Sequence, residues 1–156
     1  MLLFDDDCVA LNVNVQNSKD VIFLLSGKLE KKGAVSDKYG EAAYKRELSY
    51  PTGLPAKPFS IAFPHADCEM VHQSALAVAT LAEPVVFNSM EDPEIKLPVC
   101  IVVLMANRNP DEQVKVLRQL VTIFRKPKNM NELRDQKNIS DLVAWMRKEL
   151  KLEPIQ

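Results

Sequence analysis

The unbroken run Val99-Cys100-Ile101-Val102-Val103-Leu104-Met105, closed off by Pro98 and Asn107, narrows the folds open to this chain more than any other segment. A strand with one wet face alternates polar and apolar residues, and this run has no polar alternation. Its β-branched content favours extended backbone, so it predicts a strand covered on both faces. The wider apolar stretch, Leu97 to Ala106, is only about half of the ~20 residues that a bilayer-spanning helix needs. A soluble protein is expected, with layers of other structure on either side of a sheet.

The flanking segments supply those layers. Residues 8–15 alternate apolar and polar near their end and predict a short edge strand. Ser18 is expected to cap a helix over Lys19 to Lys32, with Val21, Ile22, Leu24, Leu25 and Leu29 as its apolar stripe and Gly33 as its stop. Asp37 to Leu48 predicts a second helix that pairs with the first and presents Tyr39, Ala42, Ala43 and Tyr44. Residues 51–58 hold Pro51, Gly53, Pro55 and Pro58, too many breakers for a regular element, and predict an ordered, rigid loop.

Phe59, Ile61 and Phe63 alternate with smaller residues as a strand would, and Pro64 ends it. Residues 74–82 predict a strand that stops at the Glu83-Pro84 break. Asn109-Pro110-Asp111-Glu112 combines a capping side chain, proline at the first helical position and two carboxylates in the positive first turn. The helix it opens is expected to bury Val114, Leu117, Leu120, Val121 and Phe124 and to stop at Pro127. A last amphipathic helix, capped by Ser140, carries Leu142, Trp145, Met146 and Leu150. The expected architecture is an α/β sandwich with a mixed β-sheet flanked by helices on both faces.

Composition sets further bounds. With 156 residues, 47% hydrophobic and 26% charged, the chain can bury one core, so residues 1–156 are expected to form a single domain. Its formal net charge of -1 carries no polyanion footprint, which disfavours nucleic acid as a partner. The start Met1-Leu2-Leu3-Phe4-Asp5-Asp6-Asp7 lacks the basic and apolar regions of a secretion signal, so a cytoplasmic location is expected. Cys8, Cys68 and Cys100 are odd in number without CxxC spacing, which predicts reduced thiols with packing roles.

Histidine occurs twice, as His65 and His72. His65 directly follows the strand ended by Pro64, at the rim of the sheet on a rigid base, where α/β folds tend to hold their sites. Around it stand Arg46-Glu47-Leu48-Ser49-Tyr50-Pro51-Thr52-Gly53-Leu54 and Ile61-Ala62-Phe63-Pro64-His65-Ala66-Asp67. These segments resemble, in order, the Arg-Glu, Thr-Gly and Ile-Ala-x-Pro-His elements of the fructose/mannitol superfamily of bacterial sugar phosphotransferase system enzyme IIA. Leu81-Ala82-Glu83-Pro84-Val85-Val86-Phe87, the strand Val99–Met105 and Asp111-Glu112-Gln113-Val114-Lys115-Val116-Leu117 are similar to its galactitol-type branch. The resemblance spans about residues 15 to 150.

The resemblance implies a phosphocarrier. His65 would accept a phosphoryl group from the phosphocarrier protein HPr and pass it to a cysteine of a cognate enzyme IIB, which feeds a membrane enzyme IIC importing a polyol such as galactitol. No metal or organic cofactor is implied. A neutral imidazole offers a nitrogen lone pair for attack on phosphorus, and the charge on the transferring oxygens calls for donors around them. The family pattern puts Arg46 there, as a bidentate guanidinium. Thr52 could donate its hydroxyl or spend it on a turn bond. Asp67 could orient the imidazole, although a solvated loop carboxylate is the plainer reading. Mannitol-type relatives have a second histidine where this chain has Gln113, whose amide can still donate to a phosphoryl oxygen.

Rival readings exist. If residues 64–72 were helical, His65, Cys68 and His72 would share a face and could hold zinc. Cys68 could be a nucleophile paired with His65, although nothing else resembles a cysteine hydrolase. Nitrogen-related phosphotransferase proteins of the same superfamily use the phosphohistidine as a regulatory signal. His72 matches no phosphorylation motif and is expected to be a plain exposed side chain. Alternating partners predict a shallow docking surface near or below ~1,200 Å² around His65. Leu54, Phe63, Ala66, Leu104 and Met105 would contribute if they reach it, and are core residues otherwise.

Overall fold

The computed structural model describes residues 2–152. Its centre is a five-stranded mixed sheet built from β1 (Val9–Val13), β2 (Gly53–Leu54), β3 (Ser60–Ala62), β4 (Ala75–Asn88) and β5 (Lys96–Ala106). The order across the sheet is β1-β4-β5-β3-β2. Strands β1/β4 and β3/β5 pair in parallel, and β4/β5 and β2/β3 antiparallel. Residues Val99 to Asn107 are buried without interruption, so both faces of β5 are covered, as its sequence predicts. Fully buried Leu76, Ile101 and Leu104 each contribute about 1.5–3 kcal/mol of transfer free energy to this core.

The helices are α1 (Ser18–Lys31), α2 (Tyr39–Ser49), α3 (Pro110–Phe124), α4 (Pro127–Arg134) and α5 (Ile139–Glu149). Helix α1 packs on α2 and on β4. The rings of Phe63, Phe124 and Trp145 lie in a row, with centroids 6.5 and 6.0 Å apart, and join the end of β3 to α3 and α5. Gly33, at φ +74°, ends α1 in the left-handed conformation that glycine adopts without penalty. The mixed sheet with flanking helices matches the expected class, and β1 is an edge strand as its alternation implies.

Several local expectations are corrected. The cap of α1 is Asn17, whose side chain accepts from the Asp20 N–H at 2.9 Å, and Ser18 is already helical. The cap of α5 is Asn138, while the Ser140 hydroxyl donates to Asp6 at 2.8 Å. Within the proline-rich loop, Gly53 and Leu54 form β2, because a two-residue strand fits between the breakers. Strand β4 runs through Glu83-Pro84. The register of the β4/β5 pair shifts between Thr80 and Val85, so Pro84 falls where no ladder bond is required of it. Pro127 stops α3 but also opens α4.

On α3 the buried set is Val116, Leu120, Ile123 and Phe124, with Val114 49% exposed. Two apolar stripes with helical spacing overlap on this helix, and packing against the core selects one of them.

Candidate functional site

The site lies where the ends of α2, β3 and β5 meet the start of α3. Pro64 follows β3, its carbonyl accepts from the Met105 N–H at 2.9 Å, and His65 pairs with Met105 as an isolated parallel bridge. The segment carrying the histidine is therefore an irregular continuation of the sheet.

His65 keeps only 9% of its surface exposed. Its Nδ1 lies 2.9 Å from the Phe63 carbonyl oxygen. A carbonyl can only accept, so the bond requires the ring proton on Nδ1 and leaves the lone pair on Nε2. Nε2 has no hydrogen-bond partner among the described residues. Burial, and secondarily the Arg46 cation, push the ring's pKa below the usual 6.5, against the opposing effect of the Phe63 bond. The imidazole is thus neutral at pH 7, with one nitrogen committed and the other open.

Arg46, in the last turn of α2, has its guanidinium 5.2 Å from the centroid of the Tyr50 ring. Its Nε is buried without a partner, and no carboxylate among the described residues pairs with it. A cation beside a neutral imidazole that is not tied into an ion pair suits an arriving anion. Arg46 borders a cleft of about 650 Å³ together with Ala66, Asp67, Cys68, Glu69, Arg108, Pro110 and Gln113. Gln113 stands in the first turn of α3, its Oε1 3.8 Å from the Cys68 thiol. Arg46 and Gln113 are thus gathered beside the residues that follow His65.

Thr52 is placed differently. It is buried, and its hydroxyl donates to Glu47 Oε1 at 2.7 Å while accepting from the Phe63 N–H at 3.1 Å. The hydroxyl proton is spent on Glu47, and no donor remains for a phosphoryl oxygen. Asp67 is exposed and makes no bond to the ring, whose Nδ1 is held by Phe63 instead.

His72 is exposed and faces a separate cleft beside Ser74 and Glu112. Residues 64–72 are not α-helical, since only Cys68–Met70 form a 3-10 turn. Among the described residues no group of three potential ligands assembles for a metal, so the zinc arrangement has no geometry behind it. The Cys68 thiol is pushed above its usual range by burial and then by Asp67, which keeps it protonated and argues against a nucleophile. Leu54, Phe63, Ala66, Leu104 and Met105 are all buried. Of the exposed apolar side chains, Tyr50 lines a pocket together with Arg46, Ala66 and Asp67.

Sequence reasoning missed three residues. Glu47 holds Thr52, the Tyr39 hydroxyl links Ala66 to Met105, and Arg108 borders the same cleft as Arg46. Glu47 carried a readable signal: a carboxylate in the last helical turn opposes the macrodipole and needs another reason to be there. Another cleft, about 790 Å³ and bordered by Asn12, Thr80 and Arg134, contains none of the expected site residues.

Residues 2–149 match the family described as phosphoenolpyruvate-dependent sugar phosphotransferase system, EIIA 2. The chain belongs to this family. Enzyme IIA components of this kind are phosphotransferase components that work through a phosphohistidine intermediate. A galactitol-specific EIIA component of Escherichia coli K12 is 28% identical over 121 residues, covering 76% of this chain and 79% of the relative. The E. coli complex of enzyme IIA for mannitol with its phosphorylated enzyme IIB superposes with a TM-score of 0.77 at 21% identity, covering 97% of this chain and 99% of that one. The nitrogen regulatory protein IIA-Ntr of Neisseria meningitidis gives 0.74 at 23% identity, covering 90% and 93%. These two structural likenesses show the fold. Among the described residues no helix is long and apolar enough to cross a membrane.

Proposed function

We propose that Nε2 of His65 is the phosphoryl acceptor of this enzyme IIA, that HPr is its donor, and that a cysteine of a cognate enzyme IIB is its acceptor. The observation that carries the proposal is the Nδ1 bond to Phe63, which leaves a lone pair on Nε2 in a neutral ring. In the first transfer, the Nε2 pair attacks phosphorus as the donor's nitrogen–phosphorus bond breaks and its electron pair returns to the donor ring. The His65 ring becomes more positive as the new bond forms, which strengthens the Nδ1–H bond to the carbonyl. Arg46 and the Gln113 amide lie close enough to the cleft to take the charge spread over the equatorial oxygens. In the second transfer an acceptor thiolate attacks, the His65 nitrogen–phosphorus bond breaks, and Nε2 regains its pair.

Exposed Tyr50 lines a small pocket with Arg46, Ala66 and Asp67, and offers an apolar contact for partners that must dock alternately and leave. The resemblance to a galactitol-specific component favours a polyol as the imported sugar, carried by a membrane enzyme IIC.

The test is incubation with phosphoenolpyruvate, enzyme I and HPr, followed by mass spectrometry for an acid-labile gain of about 80 Da, one phosphoryl group. His65→Ala is expected to abolish the gain with unchanged circular dichroism, and a gain that persists in this variant overturns the assignment. The labelled protein is then expected to lose its phosphoryl group within seconds to enzyme IIB from the same genome. Retention against every such acceptor would support a regulatory role instead.

A further inference from the structure

Glu47 is a buried carboxylate with no cation bonded to it, in the final turn of α2 where the helix dipole is negative. Burial pushes its pKa up to about 6 despite two hydrogen bonds from Thr52 and the nearby Arg46 cation, all of which favour the charged form. Neither burial nor the dipole explains an acid at this position, since an apolar side chain would satisfy both.

Its bonds point in one direction. Oε2 accepts from the Thr52 N–H and Oε1 from the Thr52 hydroxyl, each at 2.7 Å. Because the hydroxyl proton goes to the carboxylate, the lone pairs of Thr52 Oγ1 are turned toward the Phe63 N–H, 3.1 Å away. The Thr52 carbonyl takes a longer share of the same N–H at 3.4 Å. Phe63 is the residue whose own carbonyl holds His65 Nδ1. A chain of hydrogen bonds thus runs from Glu47 through Thr52 and the main chain of Phe63 to the imidazole, joining α2 to the end of β3.

From this chain we propose that Glu47 is a positioning residue. By orienting Thr52 it fixes Phe63 so that its carbonyl imposes the Nδ1–H tautomer on His65 and keeps the lone pair on Nε2. The inference rests on reading His65 as the phosphoryl acceptor, but it concerns the state of the ring before any phosphoryl group arrives. Only the carboxylate accepts from both Thr52 donors at once. Glutamine offers one acceptor and a competing amide donor, so Glu47→Gln releases the hydroxyl while nearly conserving volume.

The experiment records long-range proton–nitrogen correlation spectra of the His65 ring in the full chain at pH 8, for the unmodified protein, E47Q, T52V and T52S. The unmodified protein and T52S, which keeps a hydroxyl, are expected to show one protonated and one bare ring nitrogen. E47Q and T52V are expected to show both nitrogens moved toward a common averaged shift. Phosphoryl acceptance from HPr should fall about tenfold in those two variants and recover in T52S, because a displaced nucleophile loses near-attack geometry.

A single Nδ1–H tautomer in both E47Q and T52V, with acceptance within twofold of the unmodified protein, overturns the proposal. T52V keeps Glu47 and the β-branched shape, so it decides the matter if E47Q does not fold. Absence of phosphorylation in the unmodified protein would sink the acceptor assignment while leaving the tautomer result standing, which separates the two failures.

Discussion

The Tyr39 hydroxyl donates to the main-chain carbonyl of Met105 and accepts from the Ala66 N–H at 3.1 Å. One side chain at the start of α2 thereby ties together the strand end and the loop between which His65 sits. Burial raises the phenol's pKa well above its usual range, so it remains a neutral donor throughout physiological pH. Tyr39→Phe preserves the ring and leaves two buried main-chain groups short of a partner. The expected cost is about 1–3 kcal/mol in urea denaturation, with an unchanged m-value.

Arg46 should behave in the opposite way. Its guanidinium has no carboxylate partner among the described residues and a buried, unpaired Nε, so its removal withdraws little from the folded state. Arg46→Ala is expected to shift stability by no more than about 1 kcal/mol. Phosphoryl acceptance should fall roughly a hundredfold, the scale of losing one preorganised donor to developing charge. The His65 titration midpoint should also rise, because the cation that disfavours imidazolium is gone. A large stability loss with normal transfer would assign Arg46 to structure instead.

These two residues show what could be read in advance. The buried strand β5 and the capped start of α3 were legible because their signals are local: a continuous β-branched run, and Asn109-Pro110 with two following carboxylates. Ordered short motifs pointed to His65 and Arg46, and the roles proposed for them await the experiments above. The partners of the tyrosine hydroxyl were not, since Met105 lies 66 residues from Tyr39 and no local pattern encodes that contact. The Glu47 partner of Thr52 was not legible for a related reason. A Pro-Thr-Gly turn predicts a local bond equally well whether the acceptor is the turn itself or a carboxylate on the preceding helix. The buried face of α3 was ambiguous because Val114 and Val116 head overlapping stripes.

Gly53 in β2 supports the site from behind. A Cβ added there would stand 2.5 Å from the Asn88 carbonyl oxygen, a main-chain atom that cannot swing aside. Gly53→Ala is therefore expected to push β2 off the end of β4 and cost about 1–3 kcal/mol, as overpacking generally does. Because β2 pairs with β3 next to Phe63, slower phosphoryl acceptance should accompany the drop in melting temperature.

The pH dependence of stability should contain two opposed contributions. His65 has a folded pKa below its usual 6.5, so between the two values the unfolded chain binds more protons. That contribution is fully present above pH 6.5 and is lost as the pH falls. Glu47 has a folded pKa raised from 4.5 to about 6, so in that interval the folded chain binds more protons and stability is gained on acidification. Glu47→Gln removes the second contribution, and the His65 titration followed in both proteins accounts for any change in the first. Urea denaturation of the two proteins from pH 7 to pH 4.5 should show the unmodified protein gaining about 2 kcal/mol relative to E47Q, most of it below pH 6. Parallel profiles would mean that the Glu47 carboxylate is solvated rather than enclosed against Thr52.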